Sequence, residues 1–257
     1  MIKDEGKRRR GIYLLPNLFT TAALFAGFYA IVAAINGRFE AAAIAIFVAM
    51  LLDGIDGRVA RMTNTQSDFG AEYDSLSDMV SFGLAPALVM YEWALSGMGK
   101  LGWLAAFTYT AAAALRLARF NTQIGTSDKQ YFQGLASPSA AAIVAGMVWV
   151  GDVYLPSDNI INVVALVLTL LAGVLMVSNI RYHSFKGIDL RGKVPFVTIL
   201  LVVAVLVLIS YEPPILLFGG FLIYALSGPV LTLWHLKQHR TERRQQRSEA
   251  GPPTDQS

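Results

Sequence analysis

Five stretches of this chain contain no Lys, Arg, Asp or Glu: residues 11–37, 130–151, 159–180, 194–211 and 213–236. A helix rises about 1.5 Å per residue, so roughly 20 apolar residues span the ~30 Å hydrocarbon layer of a bilayer. Windows of this kind exclude an ordinary water-soluble domain. Only 15% of the residues are charged and 54% are apolar, against about 25% charged in a typical soluble domain. The pattern predicts an all-α, polytopic membrane bundle. Cysteine is absent, which removes disulfides, zinc–thiolate sites and thiol chemistry from consideration.

Eight spans fit the hydropathy, at about 15–36, 39–61, 72–97, 100–120, 133–152, 159–180, 193–211 and 213–236. The first comes after a basic start, "MIKDEGKRRRG", and reads as a retained helix because it lacks a clear small-residue cleavage site. Basic residues crowd the segments that fall on the N-terminal side of the membrane; of the 21, only Arg38 and Lys100 fall on the other side. By the positive-inside rule both termini are expected in the cytoplasm. The chain then divides into a basic N-terminal segment (1–12), a membrane domain (13–236) and a basic tail (237–257) read as disordered after a short helical extension. Trp93, Trp103, Trp149 and Trp234 lie near span ends, as an interfacial aromatic belt would require. His183 reads as a loop residue.

The second, third and fourth spans lack a full apolar window. Their uncharged cores, 41–52, 79–91 and 101–115, are each completed by polar residues. Between the first two runs "DGIDGRVARMTNTQSDFGAEYDSLSD", residues 53–78. The expected topology brings Asp53 and Asp56, Asp74 and Asp78, and Arg116, Arg119 and Asn121 to the same cytoplasmic depth. Ionisable groups there are expensive unless they pair or line a wet cavity. Asp53 and Asp56 are three residues apart and Asp74 and Asp78 four apart, so each pair shares a helix face. Gly54, Gly57 and Ala60 leave room for another backbone or a ligand. Arg58 and Arg61 are too few to neutralise four carboxylates. Oxygen ligands without His or Cys favour hard cations, Mg²⁺, Mn²⁺ or Ca²⁺, and paired ions suit phosphoryl displacement. Asp68 and Glu72 read as solvated groups at the mouth.

The spacing Asp53-x-x-Asp56-Gly57-x-x-Ala60-Arg61, eight residues, Gly70, three residues, Asp74, three residues, Asp78 resembles the signature of the CDP-alcohol phosphatidyltransferase family without departures. The resemblance implies two divalent cations, Mg²⁺ or Mn²⁺ with Ca²⁺ as a possible occupant, held by Asp53, Asp56, Asp74 and Asp78. It implies Asp78 as the general base that takes the acceptor's proton. It also implies CDP-diacylglycerol contacts from Gly57, Ala60, Arg61 and Ser67, and from Asn17 and Thr20 in "LPNLFT". Pro16, Asn17 and Thr20 have a plainer reading as helix-start residues.

Further stretches, "ALRLARFN" (114–121), "FQGLASPSAAA" (132–142) and "SNIRYHSFK" (178–186), resemble the membrane-embedded phosphatidylserine synthase branch; "GLASP" stands where "GLPSP" is usual. They nominate Arg116, Arg119, Asn121, Ser137, Asn179 and Arg181 for an acceptor pocket, with arginines alone unable to choose among acidic acceptors. The expected reaction joins CDP-diacylglycerol and L-serine into phosphatidylserine and CMP, in phospholipid biosynthesis at the plasma membrane, with the site facing the cytoplasm. Choline, glycerol 3-phosphate or inositol are rival acceptors, and a divalent-cation transporter is the non-enzyme rival. The apolar outer halves of spans two to four speak against a through-path. Expected partners are both substrates, membrane lipids and a second copy of the chain, with no nucleic acid.

Overall fold

The computed structural model describes residues 14–63, 65–122, 131–155, 158–183 and 196–249. Among these, eight helical runs match the eight expected segments: α1 (Leu14–Ile35), α2 (Phe39–Thr63), α3 (Asp68–Met98), α4 (Lys100–Thr122), α5 (Ser137–Tyr154), α6 (Asn159–Val177), α7 (Phe196–Tyr211) and α8 (Pro213–Glu249). Five of them, α1, α3, α4, α6 and the first part of α8, are long and apolar enough to cross a membrane. The N-terminal segment 1–12, Lys186 and residues 250–257 lie outside the described residues.

One feature departs from expectation. The bundle is not wholly helical: β1 (Tyr131–Gln133) pairs antiparallel with β2 (Arg181–His183), Phe132 opposite Tyr182. Gly134, at φ +77°, turns the chain out of β1. A side chain there would also collide with the Met176 carbonyl, so both the φ and the space call for glycine. α8 continues as a helix through 237–249, the stretch in which a short helical extension was expected before the tail. That stretch is rich in Lys, Arg, Gln and Glu, all good helix formers, so length added to an existing helix needs no new nucleus.

Small residues set the packing. Ala26, Ala30, Ala33 and Ala34 of α1 and Ala42, Ala43, Ala45 and Ala49 of α2 are all buried, which lets the two backbones approach closely without bulky side chains between them. α3 crosses α1 just as tightly: a Cβ on Gly27 would sit 2.5 Å from Ser81 Oγ. Ser77 and Ser81 donate to the Thr20 and Ala23 carbonyls, both at 3.1 Å. α5 is the central helix, with twelve of its 18 residues buried. Trp149 is one of them, donating to Glu40 at 3.3 Å and lying 5.9 Å from the Phe47 ring; it is a core residue, not part of a lipid-facing belt.

α3 is not a uniform helix. A π-helical turn, Met79–Leu84, comes directly after Asp78, and Pro86 sits just beyond it. Proline has no N–H for the carbonyl four residues back, and a wide turn accommodates the loss. That carbonyl belongs to Phe82, and the buried Tyr109 hydroxyl of α4 donates to it at 3.0 Å. α8 repeats the device. Pro229 stands inside the helix, and the Ala225 carbonyl it leaves without a partner takes the Tyr182 hydroxyl of β2 at 3.0 Å.

Candidate active site

The end of α2 and the start of α3 carry the carboxylates. The Ser67 hydroxyl caps α3, accepting from the Gly70 N–H at 3.0 Å, as an N-cap serine does. A Cβ on Gly70 would lie 3.2 Å from Ser67 Oγ and 3.5 Å from Asn17 Oδ1, so the glycine keeps α1 and the cap close. The preceding turn is braced by a 2.7 Å bond between the Thr63 and Thr65 hydroxyls, and by the Thr65 N–H on the Ala60 carbonyl at 3.1 Å. With the turn fixed, the acidic faces of the two helices meet.

Asp53, Asp56 and Asp74 each present a carboxylate oxygen within 4.8 Å of the others. Asp78 follows one turn further along α3, on the same face as Asp74. The buried Asp56 accepts from the Thr20 hydroxyl at 2.7 Å, which ties α1 to the cluster. Asp74 Oδ1 is buried and has no hydrogen-bond partner. An orphaned anionic oxygen is costly in a dry site. Three converging carboxylates, one with an unpartnered buried oxygen and with no His or Cys joining the cluster among the described residues, fit a hard divalent cation.

Above the cluster opens a cavity of about 380 Å³. Its lining includes Asn17, Thr20, Asp56, Gly57, Ala60, Arg61, Ser67, Gly70 and Asp74. All six nucleotide-side candidates are therefore brought together. Thr65, Gln66, Asp68 and Ala71 also line it, and the sequence did not single them out as binding residues; Asp68 and Glu72 are exposed, as expected. Nothing in their spacing separates such turn residues from ordinary solvated ones.

The acceptor candidates fall into pairs. Arg116 donates from Nη1 to Ser137 Oγ at 3.1 Å, while its Nε is buried without a partner. Asn121 donates from Nδ2 to Ser75 Oγ at 3.0 Å, one residue from Asp74. The Arg119 Nη1 to Asn179 Oδ1 contact, at 3.3 Å, is exposed. Arg181 lies in β2, and its side chain and that of His183 fall outside the described residues.

A carboxylate cluster carrying the Asp signature under a cavity of this size is what a phosphatidyltransferase class requires, and the comparison with known families agrees. The chain belongs to the CDP-alcohol phosphatidyltransferase family, which it matches over residues 13–176. Relatives named CDP-diacylglycerol–serine O-phosphatidyltransferase are similar along much of its length. The one from Helicobacter pylori is 38% identical over 215 residues, covering 84% of this chain and 90% of the relative. That from Bacillus subtilis is 34% identical over 172 residues, 67% of this chain and 91% of its own. The one from Methanocaldococcus jannaschii is 37% identical over 142 residues, 55% of this chain and 63% of the relative.

Proposed function

We infer that this protein transfers the phosphatidyl group of CDP-diacylglycerol to L-serine, releasing phosphatidylserine and CMP. Membership of the family and the names of its relatives support the reaction class. The observation that carries serine is the name shared by relatives 34–38% identical over much of the chain; Arg116, with one arm on Ser137 and an unpartnered buried Nε, would receive its carboxylate. A guanidinium edge receives a carboxylate in a two-point fork. L-Serine holds its hydroxyl two bonds beyond the carbon that bears its carboxylate, so an acid anchored on Arg116 brings the hydroxyl toward Asp78. Choline has no anion to offer that edge.

The positions of the residues support the following roles. Asp53, Asp56 and Asp74, with Asp78 adjoining, would hold divalent cations, Mg²⁺ or Mn²⁺, which when bound supply charge neutralisation to the diphosphate and to the departing CMP. Gly57 and Ala60 leave space for the nucleotide, Arg61 pairs with its phosphates, and Asn17, Thr20 and Ser67 offer hydrogen bonds around it. Asp78 accepts the proton of the serine hydroxyl as its oxygen attacks the lipid-side phosphorus. Asn121, Arg119, Asn179 and Arg181 are assigned to the acceptor's entrance. We further assign eight spans, both termini and the site to the cytoplasmic side of the plasma membrane on the distribution of basic residues, and a homodimer on family resemblance.

An acceptor panel tests the reading. Purified protein with CDP-diacylglycerol and Mg²⁺ or Mn²⁺ is offered L-serine, choline, glycerol 3-phosphate and inositol, and CMP release is measured. Release with serine well above the other three is expected. Release with another alcohol and none with serine would reassign the acceptor. Accessibility labelling of an introduced cysteine near Arg240 from either face of vesicles tests the orientation, and cross-linking in the membrane tests the dimer.

A further inference from the structure

Thr20, on α1, and Asp56, on α2, are each only 4% exposed. A hydroxyl has one proton to give, and two acceptors lie within reach of this one: Asp56 Oδ2 at 2.7 Å and the Pro16 carbonyl at 3.1 Å. The carboxylate is the nearer and the charged one, and an O–H on an anionic oxygen makes the shorter and stronger bond. The proton therefore goes to Asp56. Phosphate oxygens only accept, so Thr20, although it lines the cavity, has no proton left for the phosphates of a nucleotide.

The backbone that carries this hydroxyl is held as well. Ser77 of α3 is buried and donates to the Thr20 carbonyl at 3.1 Å; one turn further along, Ser81 donates to the Ala23 carbonyl, also at 3.1 Å. Thr20 thus ties α1 to α2 through its side chain and to α3 through its carbonyl. An aspartate carboxylate is free to turn about its last bond, and a hydrogen bond to one oxygen fixes its plane and so aims the other. Aim matters here, because carboxylate oxygens of Asp53, Asp56 and Asp74 must converge, and they already lie within 4.8 Å of one another.

We propose that Thr20 is a positioning residue for Asp56: its hydroxyl holds the carboxylate in the orientation that a divalent cation requires, so that α1 sets the cation affinity of a site whose ligands all come from α2 and α3. This rests on the reading of the carboxylates as cation ligands. Hydrogen-bonding partners behind a metal-ligating side chain are worth about 10–100-fold in metal affinity.

The test uses the purified full-length protein in detergent micelles, with Mn²⁺ as the probe and no substrate present. Free Mn²⁺ is followed by its EPR signal and the protein by its melting temperature. Thr20→Val keeps the shape of the side chain and removes the hydroxyl, Thr20→Ala removes it with less bulk, and Thr20→Ser retains it. The Mn²⁺ dissociation constant is expected to rise about 10–100-fold in the valine and alanine variants and to stay within about twofold of wild type in the serine variant. The rise in melting temperature that Mn²⁺ gives the wild type should shrink in step. Unchanged Mn²⁺ affinity in Thr20→Val or Thr20→Ala would overturn the proposal, and a raised KM for CDP-diacylglycerol in the same variant would return the hydroxyl to the nucleotide. An equal loss of affinity in Thr20→Ser would also overturn it, as would failure of both hydroxyl-free variants to fold. Wild-type protein that binds no Mn²⁺ would remove the cation reading and this proposal together; Mn²⁺ binding that ignores the hydroxyl removes the proposal alone.

Discussion

The two sides of the site are built in opposite ways. The carboxylate side comes from one helix–turn–helix, residues 53–78, with α1 laid across it. The proposed acceptor side is gathered from α4 and α5, where Arg116 meets Ser137, and from β2, which carries Arg181. The first side depends on local geometry: two helix faces, one N-cap, one glycine. The second depends on long-range contacts, several of them single hydroxyl groups plugging gaps in helices. Damage to the first should abolish chemistry with any acceptor, and damage to the second should change which acceptor is used and how tightly.

Asp78→Asn makes the largest break. Loss of a positioned proton acceptor is expected to lower kcat by about 10²–10⁴-fold, measured as CMP release, with all acceptors affected alike. Chelation of divalent cations should silence the wild type in the same acceptor-blind manner, and added Mg²⁺ or Mn²⁺ should restore it; activity that survives exhaustive chelation would contradict the carboxylate assignment. Arg116→Lys addresses the other side. It keeps the charge but loses the fork, so kcat/KM for serine should fall by roughly 10–100-fold while the KM for CDP-diacylglycerol holds. An equal loss toward both substrates would erase the division between the two sides.

Smaller effects sharpen the contrast. Tyr109→Phe leaves the Phe82 carbonyl without a donor in the buried core and should destabilise the protein by about 1–3 kcal/mol, read as a lower melting temperature in detergent. Ser67→Ala removes the α3 cap and should lose ~1 kcal/mol; Ser67→Asn, also a good cap, should recover it. If Tyr109→Phe raised the serine KM without changing stability, its hydroxyl would belong to the acceptor side and not to the core.

Legibility divided along the same line. Asp53, Asp56, Asp74 and Asp78 were readable because their spacing alone puts them on two facing helix sides, and the eight segments were readable from hydropathy. The clustering of Asn17 and Thr20 with the carboxylates needed family resemblance, since a threonine in a first turn looks the same when it merely caps. Tyr109 and Tyr182 carried no local signal. A tyrosine in an apolar run reads as core, and only the fold reveals that these stand opposite carbonyls orphaned by Pro86 and Pro229. Those prolines were the available hint: each one inside a helix creates a missing donor four residues back, and something must supply it. The β1–β2 pairing was hidden for a similar reason, being too short to show periodicity.

α7 lives under looser constraints than the rest of the bundle. Its described side chains are largely exposed, Leu200, Leu201, Val203, Leu206 and Leu208 each by half or more, and it packs against α8. Exposed side chains of this kind pack on little else among the described residues, so exchanging leucine for valine there disturbs no close packing. The length of α7 is another matter. Each residue adds about 1.5 Å, and α8 begins after a single intervening residue, Glu212. Sequence drift in α7 should therefore be silent, whereas insertions and deletions there would be felt at the far end of α8.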